Sequence, residues 1–380
     1  MPLLRTLGAK PAGTLRLPCI LSALMIAVPF VLTVARASAQ APAPRPRPAF
    51  STAVGNEEGA FAVAYSSDGT MVAASGLPPS IRIWNPQTGQ LRRRLTGSTR
   101  LTRSLAFSPD SKVLAAGSDD GIARLWDPQT GALEQELPPL SGKVAVKFSR
   151  DSNELAVASA FEVKLWDRKQ RQWRHTIRVG SLLVPPALAF SADGQMIAIG
   201  GGTEVGLRNL RSHKVERTIR VGDWSVFAID YSPDGRVLAM GLDKGIPEGN
   251  ALRLVSQVQL CDTRSGDIVL TLRYTGARVQ AVSFSPDGRA LATGGTGPAI
   301  HERRRVYIPS ELTVWDWKTG KRLLTRLGEP GTLNALAYSA DGKVLVTCDN
   351  AEVVLVDAST GAVKHILRGK AVKSEPQDKK

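Results

Sequence analysis

The chain has 380 residues, with 49 Lys or Arg against 34 Asp or Glu and a formal charge of +15. At 43% hydrophobic it is long enough to bury a large core, and three cysteines exclude a small scaffold held by disulfides. The basic excess favours anionic surfaces as partners, and length alone allows two domains.

Residues 1–39 carry Arg5, Lys10 and Arg16, then the apolar run Cys19–Ala35, then Ala37-Ser38-Ala39. That order is the order of a secretory signal, with cleavage expected before Gln40. The run is 17 residues long and contains Pro29, at the short limit for a spanning helix, so no transmembrane segment is expected once the leader is removed. A retained anchor is the alternative. Cys19 follows Pro18 and precedes the apolar core, which does not suit lipid attachment. Cleavage takes away four positive charges and leaves +11. Residues 40–58 read as a Pro/Ala-rich linker, opening with the polyproline-like Gln40–Pro48, and 370–380 as a disordered charged tail.

Between them, two turns recur. A Ser-x-Asp turn places its aspartate at Asp68, Asp110, Asp151, Asp193, Asp234, Asp287 and Asp341, spaced by 42, 41, 42, 41, 53 and 54 residues. A second turn has Asn85, Asp127, Asp167, Asn209, Asp262, Asp316 and Asp357 in register. Each unit therefore holds four short strands, a to d; in unit 2 these are expected at Ser104–Ser108, Val113–Gly117, Ile122–Asp127 and Leu133–Leu137. Pro and Gly supply the turn dihedrals, and the carboxylate of Asp-x-x-Thr/Ser-Gly bonds backbone N–H groups inside its own turn.

Trp84-Asn85, Trp126-Asp127, Trp166-Asp167 and Trp315-Asp316, on a regular sevenfold repeat, resemble the WD40 repeat family. The resemblance implies an all-β chain, a seven-bladed β-propeller of four-stranded antiparallel blades over 59–369. It also implies a scaffold without chemistry of its own. Asp127, Asp167, Asp262, Asp316 and Asp357 with the four tryptophans would then be structural. Arg208-Asn209, Cys261-Asp262 and Val356-Asp357 depart from the dipeptide. The Gly-His that the family places before strand a is also missing, replaced by Ser98-Thr99, Ser141-Gly142, Gly222-Asp223 or Gly276-Ala277. A buried Asp–His–Ser–Trp network is therefore not expected, and rigidity must come from packing. Val363–Arg368 is expected to complete blade 7, with Ala49–Val54 as the alternative latch. Cys261 and Cys348 fall in blades 5 and 7, which are not neighbours, so they are expected as separate buried thiols.

In such a blade the a–b and c–d turns share one face, and the b–c and d–a connections share the other. From the a–b Asp to the c–d Asp or Asn takes 16 or 17 residues in five units, but 28 in unit 5 and 29 in unit 6. Both insertions thus belong to b–c connections of adjacent blades. The first carries Asp243, Lys244 and Glu248; the second carries His301, Arg303, Arg304, Arg305 and Tyr307. Guanidinium groups grip carboxylates, phosphates or sulfates, and Trp224 in the blade 4–5 connection would add an aromatic platform on the same face. These nine residues are the candidate partner-binding set, with another protein as the expected partner. The bland alternative is a pair of tolerated surface insertions.

Basic residues in the outer strands, such as Arg92-Arg93-Arg94, Arg174 and Arg217, allow a second reading, docking on an anionic envelope polymer; Glu134 and Glu136 make blade 2 the exception. Charge there also discourages edge-to-edge pairing. Nucleic acid is not expected for an exported chain. His175, His213, His301 and His365 lie in different units without metal-ligand spacing, and no nucleophile elbow or phosphate loop occurs. No cofactor, metal or catalytic residue is therefore expected. An exported propeller enzyme acting on an anionic small molecule remains the alternative from another class. Strand a is small and apolar except at Lys147 and Asp230, two blades apart.

Overall fold

Seven sheets, each of four antiparallel strands in chain order, are formed by the described residues. The computed structural model describes residues 59–179, 186–248, 251–274, 276, 278–298, 300–302 and 305–368, with backbone alone at 251–252, 300–302 and 305–307. The leader, the linker up to residue 58, the tail, and Arg303 and Arg304 lie outside the described residues. Strands are lettered a to d from the propeller axis outward. Blade 2 runs Thr102–Phe107, Leu114–Ser118, Ala123–Trp126 and Leu133–Glu136, within two residues of expectation. Blade 7 takes its own fourth strand, Val363–Leu367. It meets blade 1 through Ala60 N, which donates to Asp349 O at 3.2 Å, and through Asn334 Nδ2, which donates to Ala60 O at 2.8 Å. Among the described residues no helix is long and apolar enough to cross a membrane.

Burial explains which residues fill each strand. Middle strands are covered on both faces by neighbouring blades, so Val72–Gly76, Ser80–Trp84, Leu114–Ser118 and Ala123–Trp126 are buried throughout. Outer strands are wet on one side and mix charge with apolar anchors, as in Leu91–Leu95 and Gln172–Arg178.

The Ser-x-Asp turn is a clasp repeated in every blade. In blade 2 the Ser108 hydroxyl donates to Asp110 Oδ1 at 2.5 Å and accepts from Val113 N at 2.9 Å, while Lys112 N donates to the same carboxylate. Ser66, Ser149, Ser191, Ser232, Ser285 and Ser339 do the same, and all are buried. Five of these turns place Gly in the left-handed region next, from Gly69 to Gly342. Ser111 and Ser152 hold that conformation instead, and each hydroxyl gains a bond to the preceding blade, from Asp68 N and Asp110 N.

Tryptophan seals one blade against the one before it. Trp126 packs with Met71, Ile83 and Leu95 of blade 1, and Trp166 with Val113 and Leu125 of blade 2. Trp315 and Trp84 take the same place against blades 5 and 7. The indole N–H groups of Trp84, Trp126 and Trp166 find no acceptor among the described residues, so in these blades apolar packing holds the indole. Blade 6 differs. Trp315 Nε1 donates to Thr293 Oγ1 at 2.9 Å, and Thr293 donates on to Thr313 O.

The clasps make an acid-sensitive device. Desolvation opposes ionisation at Asp68, Asp110 and Asp151, yet the Ser hydroxyl and backbone N–H groups outweigh it and hold each carboxyl below its ordinary value. At Asp193, Asp234, Asp287 and Asp341 the Ser hydroxyl leads in the same direction. The unfolded chain binds more protons as pH falls below about 4, so stability present above that value is lost going down. Ser108→Ala leaves Val113 N without its partner and should cost about 1–3 kcal/mol in urea unfolding at pH 7. It should also flatten the decline in stability below about pH 4. An unchanged urea midpoint would refute this role.

Candidate functional site

The insertions of blades 5 and 6 fold as hairpins, a departure from the loops expected. In blade 5, Val237–Glu248 and Ala251–Asp262 pair without a break from Val237↔Asp262 to Glu248↔Ala251. Strand a stops pairing at Ser225↔Asp243, so the outer half of this ribbon stands beyond the sheet. Pro247 is tolerated there because its missing N–H faces no third strand. In blade 6, Ile300–Glu302 and Arg305–Tyr307 form a separate two-stranded hairpin between strands b and c. The backbones of His301, Arg305 and Tyr307 lie in it. At the inner end of this region Gly295 lets two strands close up, since a Cβ would stand 1.7 Å from Arg278 O.

Around the base of the blade 5 ribbon the candidate residues separate into two groups. Trp224 is half-buried against the blade 4–5 core, with Lys244 Nζ 6.0 Å from its ring centroid and bonded to Asp223. Glu248 is exposed near the tip and pairs with Arg253 at 3.6 Å. Asp243 does not belong with them. It is 4% exposed, and its Oδ1 accepts from Val279 N of blade 6 at 3.0 Å, which ties two blades together. Strand pairing turned it inward, because it falls on the buried side of a strand that continues past the length expected.

Asp243 also carries a testable sign. Burial pushes its carboxyl above the ordinary value, against the Val279 N–H. The folded state therefore holds its proton to higher pH than the unfolded chain, and stability falls as pH climbs through about 4 and on through the raised value. The hydroxyl of Ser256, opposite in the ladder, opposes that shift together with the Val279 N–H, though its contact with the carboxylate falls short of a well-formed hydrogen bond. Asp243→Asn keeps the Oδ1 acceptor and offers an N–H to the Ser256 hydroxyl. It should raise stability by about 1 kcal/mol at pH 7, with the gain vanishing near pH 3, in calorimetric melts across pH. A lower melting temperature at neutral pH would refute the assignment.

The basic rim has structural work. Arg93 Nε donates to Gln129 O of the next blade, and Arg217 Nη1 donates to Ser265 O. His365 reaches Gln87 O from the same strand position, and His175 stacks on His213 of blade 4 there. Blade 2 is the acidic exception because buried Arg124 pairs with Glu136 at 2.6 Å and Asp120 at 2.8 Å.

On the axis, Asp230 accepts from Phe284 N of blade 6 at 2.8 Å. Burial raises its carboxyl, against the pull of Lys147. Cys261 and Cys348 are separate, buried thiols, both pushed upward by burial, Cys261 to about 11. Sequence reasoning missed the inter-blade bonds of Asp243 and Asp230, and the threonine pair under Trp315. A signal for the first was present: Ala251–Asp262 alternates for longer than any other c strand.

The c–d turn aspartates bond their own backbones. Asp127 Oδ1 accepts from Gln129 N and Thr130 N, and Asp167 Oδ1 from Gln170 N. Asp262, Asp316 and Asp357 each accept from the N–H groups two and three residues on. The family model WD40, described as WD domain, G-beta repeat, matches residues 89–127 and 266–297. No curated protein matches the chain. The two matched segments each begin at a c–d turn and run into the following blade, and the remaining blades repeat the same turns and the same strand order. Two matched WD40 repeats and seven four-stranded blades support a WD40-repeat β-propeller, a fold that commonly serves as a protein-interaction scaffold.

Proposed function

We propose that this protein is an exported, non-catalytic scaffold that holds a protein partner on the b–c face of blades 5 and 6. The observation that carries the reading is the pair of hairpins on adjacent blades, projecting on one side of the propeller. The outer part of the blade 5 ribbon seals no blade interface, so its length is not required by the fold. Trp224 and Lys244 at its foot offer a flat ring beside a cation, and the three consecutive arginines 303–305 supply donors for acidic groups. Two of the rim arginines, Arg93 and Arg217, bond the next blade, which gives part of the rim a structural role of its own. Export rests on the leader pattern of residues 1–39.

Affinity capture from the producing cell's envelope extract tests the face. The hairpins would be shortened to the length of the other b–c turns, and separately Arg303, Arg304 and Arg305 changed to Ala. A partner retained by the wild type should be lost from the shortened form and bound at least about tenfold more weakly by the triple variant, with an unchanged melting temperature. The same captured set from all forms would refute the face. N-terminal sequencing of the exported product should begin at Gln40; an intact Met1 terminus would refute cleavage.

A further inference from the structure

On the opposite face, between blades 4 and 5, lies a cleft of about 450 Å³, within the range of small-molecule sites. Its cause can be read from the blade seals. Trp126 covers Met71, which is 1% exposed. In the 4–5 interface the position of Met71 is Met196, and the position of the tryptophan is Cys261. The thiol is too small to cover the thioether, so Met196 is left partly exposed and lines the cleft with Leu207. The other two departures are differently matched. Arg208 faces a blade whose equivalent position is Glu154, and Val356 one whose equivalent is Ala290.

Tyr231 also lines the cleft. It is 7% exposed, and its hydroxyl has no hydrogen-bond partner among the described residues. Charged groups of both signs stand around this apolar space. Arg236 and Arg264 lie exposed at the a–b and c–d turns of blade 5, each near the carboxylate of its own turn, Asp234 and Asp262. Across from them are Asp193, held in its turn by Ser191, and Glu216, bonded by Asn209, with Arg217 beside Glu216 reaching across to Ser265 O.

We propose that this cleft binds a free aromatic α-amino acid, whose ring takes the place of the tryptophan that blade 5 lacks. The ring packs on Met196 and Leu207, and sulfur against an aromatic edge is a favourable contact. An indole N–H or phenol O–H meets the Tyr231 hydroxyl. The α-carboxylate lies between Arg236 and Arg264, and the α-ammonium faces Glu216 and Asp193. A molecule with a ring and one charge would meet only one of the two sets. The site is separate from the hairpin face and does not depend on the partner-binding reading.

Isothermal titration of the full chain with L-tryptophan, L-tyrosine, L-leucine and N-acetyl-L-tryptophanamide tests this. The two free aromatic amino acids should bind, with leucine and the blocked amide at least about tenfold weaker. Cys261→Trp fills the space from within and should abolish binding. If that chain does not fold, Arg236→Ala with Arg264→Ala, on the exposed rim of the cleft, should weaken L-tryptophan by about tenfold and leave the blocked amide unchanged. No heat at millimolar L-tryptophan would overturn the proposal. So would equal binding of the blocked amide, which would instead make the cleft a seat for an aromatic side chain of a polypeptide. Binding retained by a folded Cys261→Trp chain would overturn it too.

Discussion

A blade of this protein cannot be stable alone, because its middle strands are apolar on both faces. Each face must be covered by the neighbouring blade, and closure of blade 7 on blade 1 leaves no blade without a neighbour on either side. Everything else is fitted to that constraint. The tryptophan at the end of strand c is the largest piece of the cover, and truncating such a residue costs about 3–5 kcal/mol. Where it is absent, the interface must be closed by other means or left open. Val356 opposite a small Ala290 closes one, Arg208 opposite Glu154 makes another polar, and Cys261 opposite Met196 leaves a cleft.

The parts legible in the sequence were those whose chemistry is local. A Ser-x-Asp clasp or an Asp-capped turn is complete within a few residues, so its pattern survives in each unit and counts the blades. Strand order followed from the turns, and the lengthened b–c connections from their spacing. The parts not legible depend on pairs far apart in the chain. Asp243 sat in what read as a loop, and becomes a buried tie because strand b continues beyond strand a and meets Val279 of the next blade. Asp230 meets Phe284 at a separation that no motif spans. The basic outer strands read as a uniform belt, whereas the third residue of several of them bonds the next blade.

Net charge illustrates how composition and placement diverge. The excess of basic residues suggested an electrostatic surface, but guanidinium groups engaged by carbonyls of a neighbouring blade serve cohesion first. Arg124 is the extreme case, buried between two carboxylates, where removing one partner would strand a charge. These bonds leave the charge itself intact but restrict where the guanidinium groups can point.

The two faces differ in what they can vary. On the turn face the clasps fix backbone and carboxylate together, Asp193 by Ser191 and Asp234 by Ser232 on the two sides of the cleft. Walls fixed in this way lower the ordering that binding demands of the protein. On the hairpin face, strands b and c of blade 5 extend in unbroken register past the third strand, so added length leaves the pairing inside the blade untouched. Additions on that side change the surface without changing any blade seal. Preorganised small-molecule recognition suits the first face, and adaptable recognition of a macromolecule suits the second.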